Sequence, residues 1–265
     1  MTGADFEQVR SLIYKHAGIK LSEGKRAMVY SRLSRRLRAT GHDSFTAYLQ
    51  WFATVRGDAR EKEKQEFVNA LTTNLTAFFR EEHHFQVLAT ELQLRRGADL
   101  RIWCNAASTG EEPYSLAMTV VELLGARANV TIVCSDIDTK VLATASHGIY
   151  EATARGLSPE RLRQHFLRGK GANEGLISVR PELTRLVEFR QFNLMDERWP
   201  LGDPFDIVFC RNVMIYFDKP TQRRVLEGMH RVLKPGGLLF AGHSENFGDS
   251  RDLFQLRGQT VYKRA

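Results

Sequence analysis

The segment Leu100–Ser115, LRIWCNAASTGEEPYS, indicates which fold class the chain adopts. It begins with the apolar residues of a buried strand and passes through a loop of small residues that ends at Gly110. Glu111 and Glu112 then open a helical run. A strand, a loop without bulky side chains and a helix N-terminus form the phosphate- or nucleoside-binding corner of a doubly wound α/β sheet. The segment therefore predicts such a sheet, with a ligand at this corner.

The composition of the loop limits the class of ligand. It has one glycine, whereas a dinucleotide-binding fingerprint has three. Its carboxylates would also place negative charge where a pyrophosphate would lie, and like charges disfavour each other. A cationic or neutral ligand with ribose hydroxyls suits this corner better than NAD or ATP. S-adenosylmethionine carries both a sulfonium and an ammonium, so the loop favours that cofactor.

The composition of the whole chain is typical of a globular protein without membrane spans. Its 265 residues suffice for one large domain or two modest ones. No apolar run approaches the roughly 20 residues that a membrane span needs, and the N-terminus lacks a signal-peptide pattern. Cys104, Cys134 and Cys210 lie in apolar runs without a CxxC motif. We therefore expect buried, reduced thiols in a cytoplasmic protein.

Charge and histidine content narrow the possible partners. The formal net charge of +7 indicates an acidic partner surface, which the sign alone does not identify as nucleic acid, membrane or protein. The one adjacent histidine pair, His83 and His84, would not chelate from a single helix face, because neighbouring side chains point about 100° apart. We therefore expect no metal site.

The chain divides into three parts by its hydrophobic pattern. Residues 4 to about 65 show a helical pattern throughout, with helix ends predicted at Gly18 and Gly41 and a capping pair at Asp43 and Ser44, so residues 1–72 are predicted to form a helical domain. Residues 73–85 form a linker that contributes to the ligand site. Residues 86–265 alternate strand-length apolar runs with amphipathic helices, which predicts a mostly parallel sheet with helices on both faces.

The strands and helices of the α/β domain follow from these runs. The predicted strands are Leu100–Cys104, Val130–Ser135, Val187–Phe192, Asp206–Cys210, Gly237–Gly242 and a final strand, Phe254–Lys263. Helices are predicted at Glu112–Leu124 and Lys219–Leu233. A glycine-rich segment at about 157–190 breaks the alternation, and we expect a small antiparallel β-subdomain there.

Polar residues that follow predicted strands are candidates for the ligand crevice. Asp136 follows the second strand and either accepts hydrogen bonds from ribose hydroxyls or caps the next helix. Arg211 and Asn212 follow a later strand, where Arg211 alternatively forms an ion pair at the rim of the sheet. Tyr216 alternatively packs as a half-buried core residue.

The linker motif TNLTAFFRE, residues 73–81, is unusually rich in polar groups for a connection. Phe78 and Phe79 are expected to pack against the sheet. Asn74, Thr76 and Arg80 would then be free to face a crevice.

Several motifs together resemble one protein family. They are NLTAFFRE (74–81), WCNAASTGEEPYSLAM (103–118), SDID (135–138), FCRNVMIYFDK (209–219) and LLFAGHSENF (238–247). They closely resemble the CheR family of chemotaxis receptor methyltransferases, over almost the whole chain. The resemblance implies a doubly wound, Rossmann-like methyltransferase domain preceded by a small all-α domain. It also implies transfer of a methyl group from S-adenosylmethionine to glutamate side chains of chemoreceptor helices, with S-adenosylhomocysteine as the other product.

The resemblance also implies roles for individual residues. The cofactor would be held by Asn74, Thr76, Arg80, Glu111, Asp136, Asn193, Leu194, Arg211 and Asn212. Arg80 and Tyr216 would lie nearest the reacting methyl group. Asn105 departs from the family pattern, which has a small residue at that position, and this puts the packing near the cofactor carboxylate in doubt.

Two further segments are candidate receptor contacts. Lys25, Arg32, Arg35 and Arg36 on one basic helix would dock the acidic methylation helices, or they form an ordinary solvated face. The segment RGKGANEGLISVR, residues 168–180, resembles the subdomain with which some family members bind a receptor C-terminal pentapeptide. There Gly169, Gly171 and Gly175 would let a peptide strand approach, or they form an ordinary turn. We expect a monomer that is recruited to membrane receptor arrays.

Two other functions compete with this interpretation. The net charge would also suit a methyltransferase acting on nucleic acid. The segment 211–214, Arg-Asn-Val-Met, nevertheless lacks the Asp/Asn-Pro-Pro-aromatic pattern common in amino-methylating enzymes of that class, and no exposed aromatic run for base stacking accompanies the basic helix. The other alternative is a non-catalytic adaptor that senses the cofactor, which the retention of Arg80, Glu111, Asp136 and Tyr216 together disfavours.

Overall fold

Four helices form the first domain in the computed structural model, which describes residues 1–265. They are α1 (Gly3–Ala17), α2 (Arg26–Thr40), α3 (Phe45–Thr54) and α4 (Gly57–Leu71). Thr2 and Asp5 form a reciprocal capping box at the start of α1, and Gly18 ends it in the left-handed conformation. Ser44 caps α3 as the sequence predicts. Apolar faces of these helices share one buried core.

A seven-stranded sheet forms the centre of the second domain. Its strands are β1 (Leu100–Asn105), β2 (Val130–Asp136), β6 (Val187–Gln191), β7 (Phe205–Cys210), β8 (Leu233–Ala241), β9 (Phe254–Gly258) and β10 (Val261–Arg264). The spatial order is β6-β2-β1-β7-β8-β10-β9. The first five of these strands are parallel, whereas β10 is antiparallel to both neighbours. The predicted doubly wound fold is confirmed.

Helices cover both faces of this sheet. They include α5 (His83–Leu94), α6 (Glu111–Leu124), α7 (Thr139–His147) and α10 (Lys219–Val232). Because side chains alternate along a strand, Ile102 of β1 lies in one hydrophobic core and Trp103 in the other. Strand order reverses at β1, between β2 and β7, and such a switch point opens a crevice at the carboxyl ends of the strands.

The C-terminal tail differs from the prediction of one strand over Phe254–Lys263. Gln259 and Thr260 both adopt positive φ, at 49° and 58°, and they turn the chain between β9 and β10. Two consecutive positive φ values are the geometry of a tight hairpin turn. The expectation was wrong because this turn lacks the Asn-Gly or Gly-Gly signal that usually marks such a hairpin.

A three-stranded antiparallel sheet forms the β-subdomain. Its strands are β3 (Ile149–Glu151), β4 (Phe166–Arg168) and β5 (Leu176–Val179), and their spatial order is β3-β5-β4. The helix α8 (Pro159–His165) connects β3 to β4 along the chain. The subdomain starts earlier in the chain than the predicted residue 157. It ends before the short helix α9 (Pro181–Thr184), so the following strand β6 belongs to the large sheet.

The state of the cysteines and the character of the helices agree with the expectations from the sequence. Cys104, Cys134 and Cys210 are free and buried, and burial raises the pKa of each thiol well above its ordinary value. None of the helices combines the length and the apolar character that crossing a membrane requires.

Candidate active site

A cavity of about 460 Å³ lies at the carboxyl ends of β1, β2 and β7. The structure brings nearly all predicted cofactor and catalytic residues into its wall. They are Asn74, Thr76, Arg80, Asp136, Asn193, Leu194, Arg211, Asn212 and Tyr216. These residues come from four separate parts of the chain, and the switch point of the sheet is what makes them converge.

Glu111 is the one predicted cofactor residue that does not line the cavity, whereas its neighbour Glu112 does. The Thr109 hydroxyl donates to Glu111 Oε2 at 2.6 Å, which holds that carboxylate over the loop. Glu112 lines the cavity and pairs with Arg211. Successive residues of a helix point about 100° apart, so the side chains of Glu111 and Glu112 face different directions.

Asp136 holds the loop that follows β1. Its Oδ2 accepts from the Ser108 N–H at 2.8 Å and its Oδ1 accepts from the Asp138 N–H at 2.9 Å. Burial raises the pKa of Asp136 to about 6. The helix cap that sequence analysis left open belongs to Asp138, whose side chain accepts from the N–H groups of Lys140 and Val141. Asp136 is therefore free to face the cavity.

The linker motif contributes both packing and polar groups, as expected. Phe78 and Phe79 are buried, and the ring of Phe78 packs edge-on against Tyr150 and Phe166 of the β-subdomain. Asn74 donates to Asp138 Oδ2 at 2.9 Å. Arg80 donates to the Leu75 carbonyl at 3.0 Å and makes no ion pair within the chain. Its guanidinium therefore keeps donors that a substrate carboxylate can use.

Arg211 forms the ion pair that was the alternative to a ligand contact, and it also lines the cavity. Its side chain is buried between Glu81, at 3.2 Å, and Glu112. Burial would lower the pKa of Arg211, but these two carboxylates raise it overall. On Glu81, burial acts against ionisation, but His243, Arg211 and Asn212 together lower its pKa to about 2. The buried charges are thus compensated.

Glu245 is a site-shaping residue that sequence analysis missed. Its buried carboxylate accepts from the N–H groups of Asn212, Met214 and Gly242. These bonds fix the turn that follows β7, in which Asn212 has a φ of 59°, and thereby place Tyr216 in the cavity wall. A carboxylate far along the chain gives no local signal for this role.

The helical domain closes one side of the cavity, which was also not foreseen. Ile19, Lys20 and Leu21, which follow α1, line the cavity together with Lys25 and Met28. The Lys20 N–H donates to the Tyr216 carbonyl at 2.8 Å. The Asn193 amide donates to the His16 carbonyl at 2.7 Å. The two domains therefore share the site.

The four cations predicted to form one docking face separate into two groups. Arg36 pairs with Glu63 and Glu66, and its side chain is only 16% exposed. Arg32 donates to the carbonyls of Leu71 and Thr72. Both guanidinium groups therefore join α2 to α4 or to the residue that follows it, because helical packing determines which side of α2 faces inward. Lys25 and Arg35 are exposed and without ion pairs.

The three glycines of the β-subdomain are explained by its turn. Gly171 and Gly175 have positive φ, at 59° and 85°. A Cβ on Gly169 would lie 2.0 Å from the carbonyl oxygen of Asn173. Turn geometry thus requires all three glycines. The strands β3 and β4 remain unpaired at their outer edges, with Ile149 and Leu167 about half exposed.

His83 and His84 lie close to Glu81, so three side chains of types that can bind a metal ion are near one another. Nitrogen atoms of both rings and a carboxylate oxygen of Glu81 all lie within 4.8 Å of one another. The third group is Glu81, which precedes α5, so side-chain directions along that helix alone did not predict this cluster. Glu81 nevertheless already accepts from Arg211, Asn212 and His243, so its oxygens are committed to this network.

Two family models match consecutive parts of the chain. The model described as "CheR methyltransferase, all-alpha domain" matches residues 4–72. The model described as "CheR methyltransferase, SAM binding domain" matches residues 74–263.

Curated proteins similar to this chain are named chemotaxis protein methyltransferases. A chemotaxis protein methyltransferase of Klebsiella aerogenes is 54% identical over 265 residues, which cover 99% of this chain and 90% of that protein. Chemotaxis protein methyltransferase 2 of Pseudomonas aeruginosa is 53% identical over 268 residues, covering 100% of this chain and 94% of that protein. The protein from Salmonella typhimurium is 52% identical, with 99% and 90% covered.

Proposed function

The chain belongs to the CheR methyltransferase family, and from this premise we propose that its cavity transfers the methyl group of S-adenosylmethionine to glutamate side chains of chemoreceptors. The enzyme is an S-adenosylmethionine-dependent methyltransferase of chemotaxis. The roles of individual residues in this reaction are our proposal. The observation that carries it is the convergence of Asp136, Arg80 and Tyr216 in one cavity at the switch point of the sheet.

The polar groups in the cavity wall fit this cofactor. The volume of about 460 Å³ is in the range of small-molecule sites. Asp136 would accept hydrogen bonds from the ribose hydroxyls, and Asn193 and Leu194 would border the adenine. The amide of Asn105 is buried beside the cavity without a hydrogen-bond partner in the chain, so a polar group of the cofactor would satisfy it. Glu112 is neutralised by Arg211, whereas Asp136 has no cationic partner.

The protein's part in the reaction is positioning. When bound, the cofactor would supply an electrophilic methyl group on a sulfonium, whose C–S electron pair would stay with sulfur as a glutamate oxygen accepts the methyl group. A glutamate with an ordinary pKa of about 4.3 is already ionised near neutral pH, so no general base is required. Alignment of two reactants can supply roughly 7–11 kcal/mol of the barrier. This accounts for a site without a catalytic triad.

Arg80 and Tyr216 would align the substrate carboxylate. The free donors of Arg80 can hold one carboxylate oxygen while the other faces the methyl group. Binding must stay moderate, because the product ester is neutral and stabilising the ionised substrate would raise the barrier. The Tyr216 ring would border the sulfonium or orient the same carboxylate.

Replacing Arg80 with alanine tests the assignment. We expect the Arg80→Ala variant to bind the receptor fragment normally while turnover falls roughly 100-fold, because misplaced reactants lose much of the benefit of alignment. Methyl transfer to a receptor cytoplasmic fragment would be measured with labelled cofactor, and binding by calorimetry. Arg163→Ala, at an exposed position of helix α8, is the control. Unchanged turnover in Arg80→Ala would favour the adaptor function instead.

Receptor recognition would use two exposed cations of the helical domain. Lys25, which lines the cavity just before α2, and Arg35 on α2 would attract the acidic residues of a methylation helix. Such pairs at a rim mainly raise association rates and are weakened by salt. The protein would act as a monomer that is recruited to receptor arrays.

A receptor C-terminal pentapeptide would bind the β-subdomain as an added strand. The outer edges of β3 and β4 carry unpaired backbone groups, which is the condition for strand addition. Calorimetric titration with a peptide copying a receptor tail tests this. Replacing Leu167 on β4 with Asp should abolish binding if that edge is used, and the same change at Ile149 on β3 serves as the comparison. Absence of binding by the unaltered protein would remove the tether and leave the enzyme assignment intact.

A further inference from the structure

Two large apolar side chains are exposed at the mouth of the active-site cavity. The side chain of Leu75 is 80% exposed and that of Ile215 is 51% exposed, and both residues line the cavity. Leu75 follows Asn74 in the linker, and Ile215 precedes Tyr216 in the turn after β7. Isolated exposed apolar residues are common on proteins. These two come from distant parts of the chain, and both line the cavity whose wall also holds the proposed catalytic residues.

The substrate explains why apolar groups would be useful there. The carboxylate of a glutamate lies only a short side chain away from its backbone. For that carboxylate to reach Arg80 inside the cavity, the helix that carries it must lie directly across the mouth. Residues three and four positions before and after the glutamate lie on the same helix face, about 5–6 Å away between Cβ atoms. They would therefore contact whatever rims the opening.

We propose that Leu75 and Ile215 form an apolar clamp that seats an amphipathic, acidic helix across the cavity mouth. The clamp would pack against apolar residues of that helix on either side of the target glutamate. Charge complementarity supports this occupant, because Lys20 and Lys25 are exposed and line the same cavity. The inference rests on the proposed function and adds a specificity element to it: acceptance of a glutamate would depend on its apolar neighbours.

The test compares two double variants of the full-length protein. Leu75→Ala with Ile215→Ala removes the clamp. Leu94→Ala with Leu256→Ala removes two side chains that are 75% and 63% exposed but do not line the cavity. We expect the clamp variant to bind a soluble receptor cytoplasmic fragment roughly tenfold more weakly and to show a correspondingly higher KM, while kcat and affinity for S-adenosylhomocysteine stay unchanged. The control variant should match the wild type.

Several outcomes would overturn the clamp. Unchanged receptor affinity in the clamp variant would do so, as would an equal loss in the control. A loss of S-adenosylhomocysteine affinity would place the two side chains in the cofactor wall instead. Receptor binding is measured independently of turnover. A wild type that binds the fragment through Leu75 and Ile215 but transfers no methyl group would therefore refute the proposed function and leave the clamp standing.

Discussion

Asp136 and Asn105 are two buried polar side chains of the cavity wall without a charged partner. Asp136 is 7% exposed and Asn105 is 1% exposed. A buried polar group without full compensation costs folding free energy. In a stable fold such groups are expected where a ligand completes their hydrogen bonds. Each residue therefore leads to a prediction that separates a ligand contact from a packing role.

The affinity for S-adenosylhomocysteine should fall as pH decreases through about 6. Burial raises the pKa of Asp136 to about 6, and only the ionised carboxylate accepts from both ribose hydroxyls. Calorimetry between pH 5 and pH 8 measures this. Asp136→Asn should weaken binding roughly 10- to 100-fold and remove the pH dependence, since a hydrogen bond to a charged group contributes about 1.5–3 kcal/mol. Equal wild-type affinity at both ends of the range would contradict the assignment.

The raised pKa of Asp136 also makes the free energy of unfolding depend on pH, and this dependence has the opposite sign to that of cofactor binding. Between the ordinary pKa of 3.8 and the folded value of about 6, the folded state binds more protons at Asp136 than the unfolded state does. The contribution of this group to folding therefore declines as pH rises through that window. Binding of the cofactor product would offset the cost.

Replacing Asn105 with alanine should stabilise the free protein while weakening cofactor binding. Neither polar atom of the Asn105 side chain has a partner in the chain, so its removal relieves a desolvation cost of about 1 kcal/mol. Urea unfolding and S-adenosylhomocysteine titration measure the two effects. Asn129→Ala, at an exposed position just before β2, is the control. A less stable variant with unchanged affinity would show that Asn105 serves packing alone.

At the scale of elements, α2 carries two adjacent arginines with opposite surroundings. Arg36 forms ion pairs with Glu63 and Glu66 of α4, and Glu63 also accepts from the buried Tyr48 hydroxyl at 2.7 Å. Arg35 is exposed. Neighbouring residues of a helix therefore serve different purposes, one in packing and one on the surface.

Alanine substitutions should distinguish the roles of Arg35 and Arg36. Arg36→Ala leaves the buried Glu63 carboxylate without its cation, and we expect a loss of about 3 kcal/mol in the free energy of unfolding. Arg35→Ala should change stability by less than about 0.5 kcal/mol but weaken receptor binding, most clearly at low salt. Denaturant unfolding and receptor titration provide both readouts. Equal stability of the two variants would refute the packing role of Arg36.

At the scale of the whole molecule, the helical domain and the sheet meet beside the cofactor cavity. Asn69 of α4 donates to the Thr139 hydroxyl at 3.0 Å, and the Thr72 hydroxyl donates to Asp138 at 2.6 Å. Gln65 donates to the Ile137 carbonyl at 2.8 Å. Because both domains line the cavity, a ligand there contacts both and should hold them together.

Weakening this domain contact away from the cavity should weaken cofactor binding. Asn69 does not line the cavity, so Asn69→Ala tests the contact alone. We expect S-adenosylhomocysteine to bind roughly fivefold more weakly, corresponding to about 1 kcal/mol for the lost hydrogen bonds. The rise in Tm at a fixed ligand concentration should shrink accordingly. Gln50→Ala on the exposed face of α3 is the control. Unchanged affinity in Asn69→Ala would show that the domains do not cooperate in binding.

Much of the architecture was predictable because its signals are local. The apolar run before Asn105 and the small-residue loop predict a strand and a ligand corner from neighbouring residues alone. Strand ends were correct to within a residue or two along β1, β2 and β7. The hairpin at Gln259 and Thr260 was missed, since its turn geometry is imposed by pairing of β10 with β8 and not by turn residues.

Local patterns along the chain were enough to predict the alternation of strands and helices, the family motifs and most of the polar residues that converge in the cavity wall. Hydrophobic periodicity and short motifs encode these features within a few residues. Contacts in the folded molecule were needed to show that Glu112 rather than Glu111 lines the cavity, that Arg36 faces inward and Arg35 outward, and that Glu245 fixes the turn carrying Tyr216. Side-chain direction at these positions depends on contacts with residues far away in the chain, which no local pattern specifies.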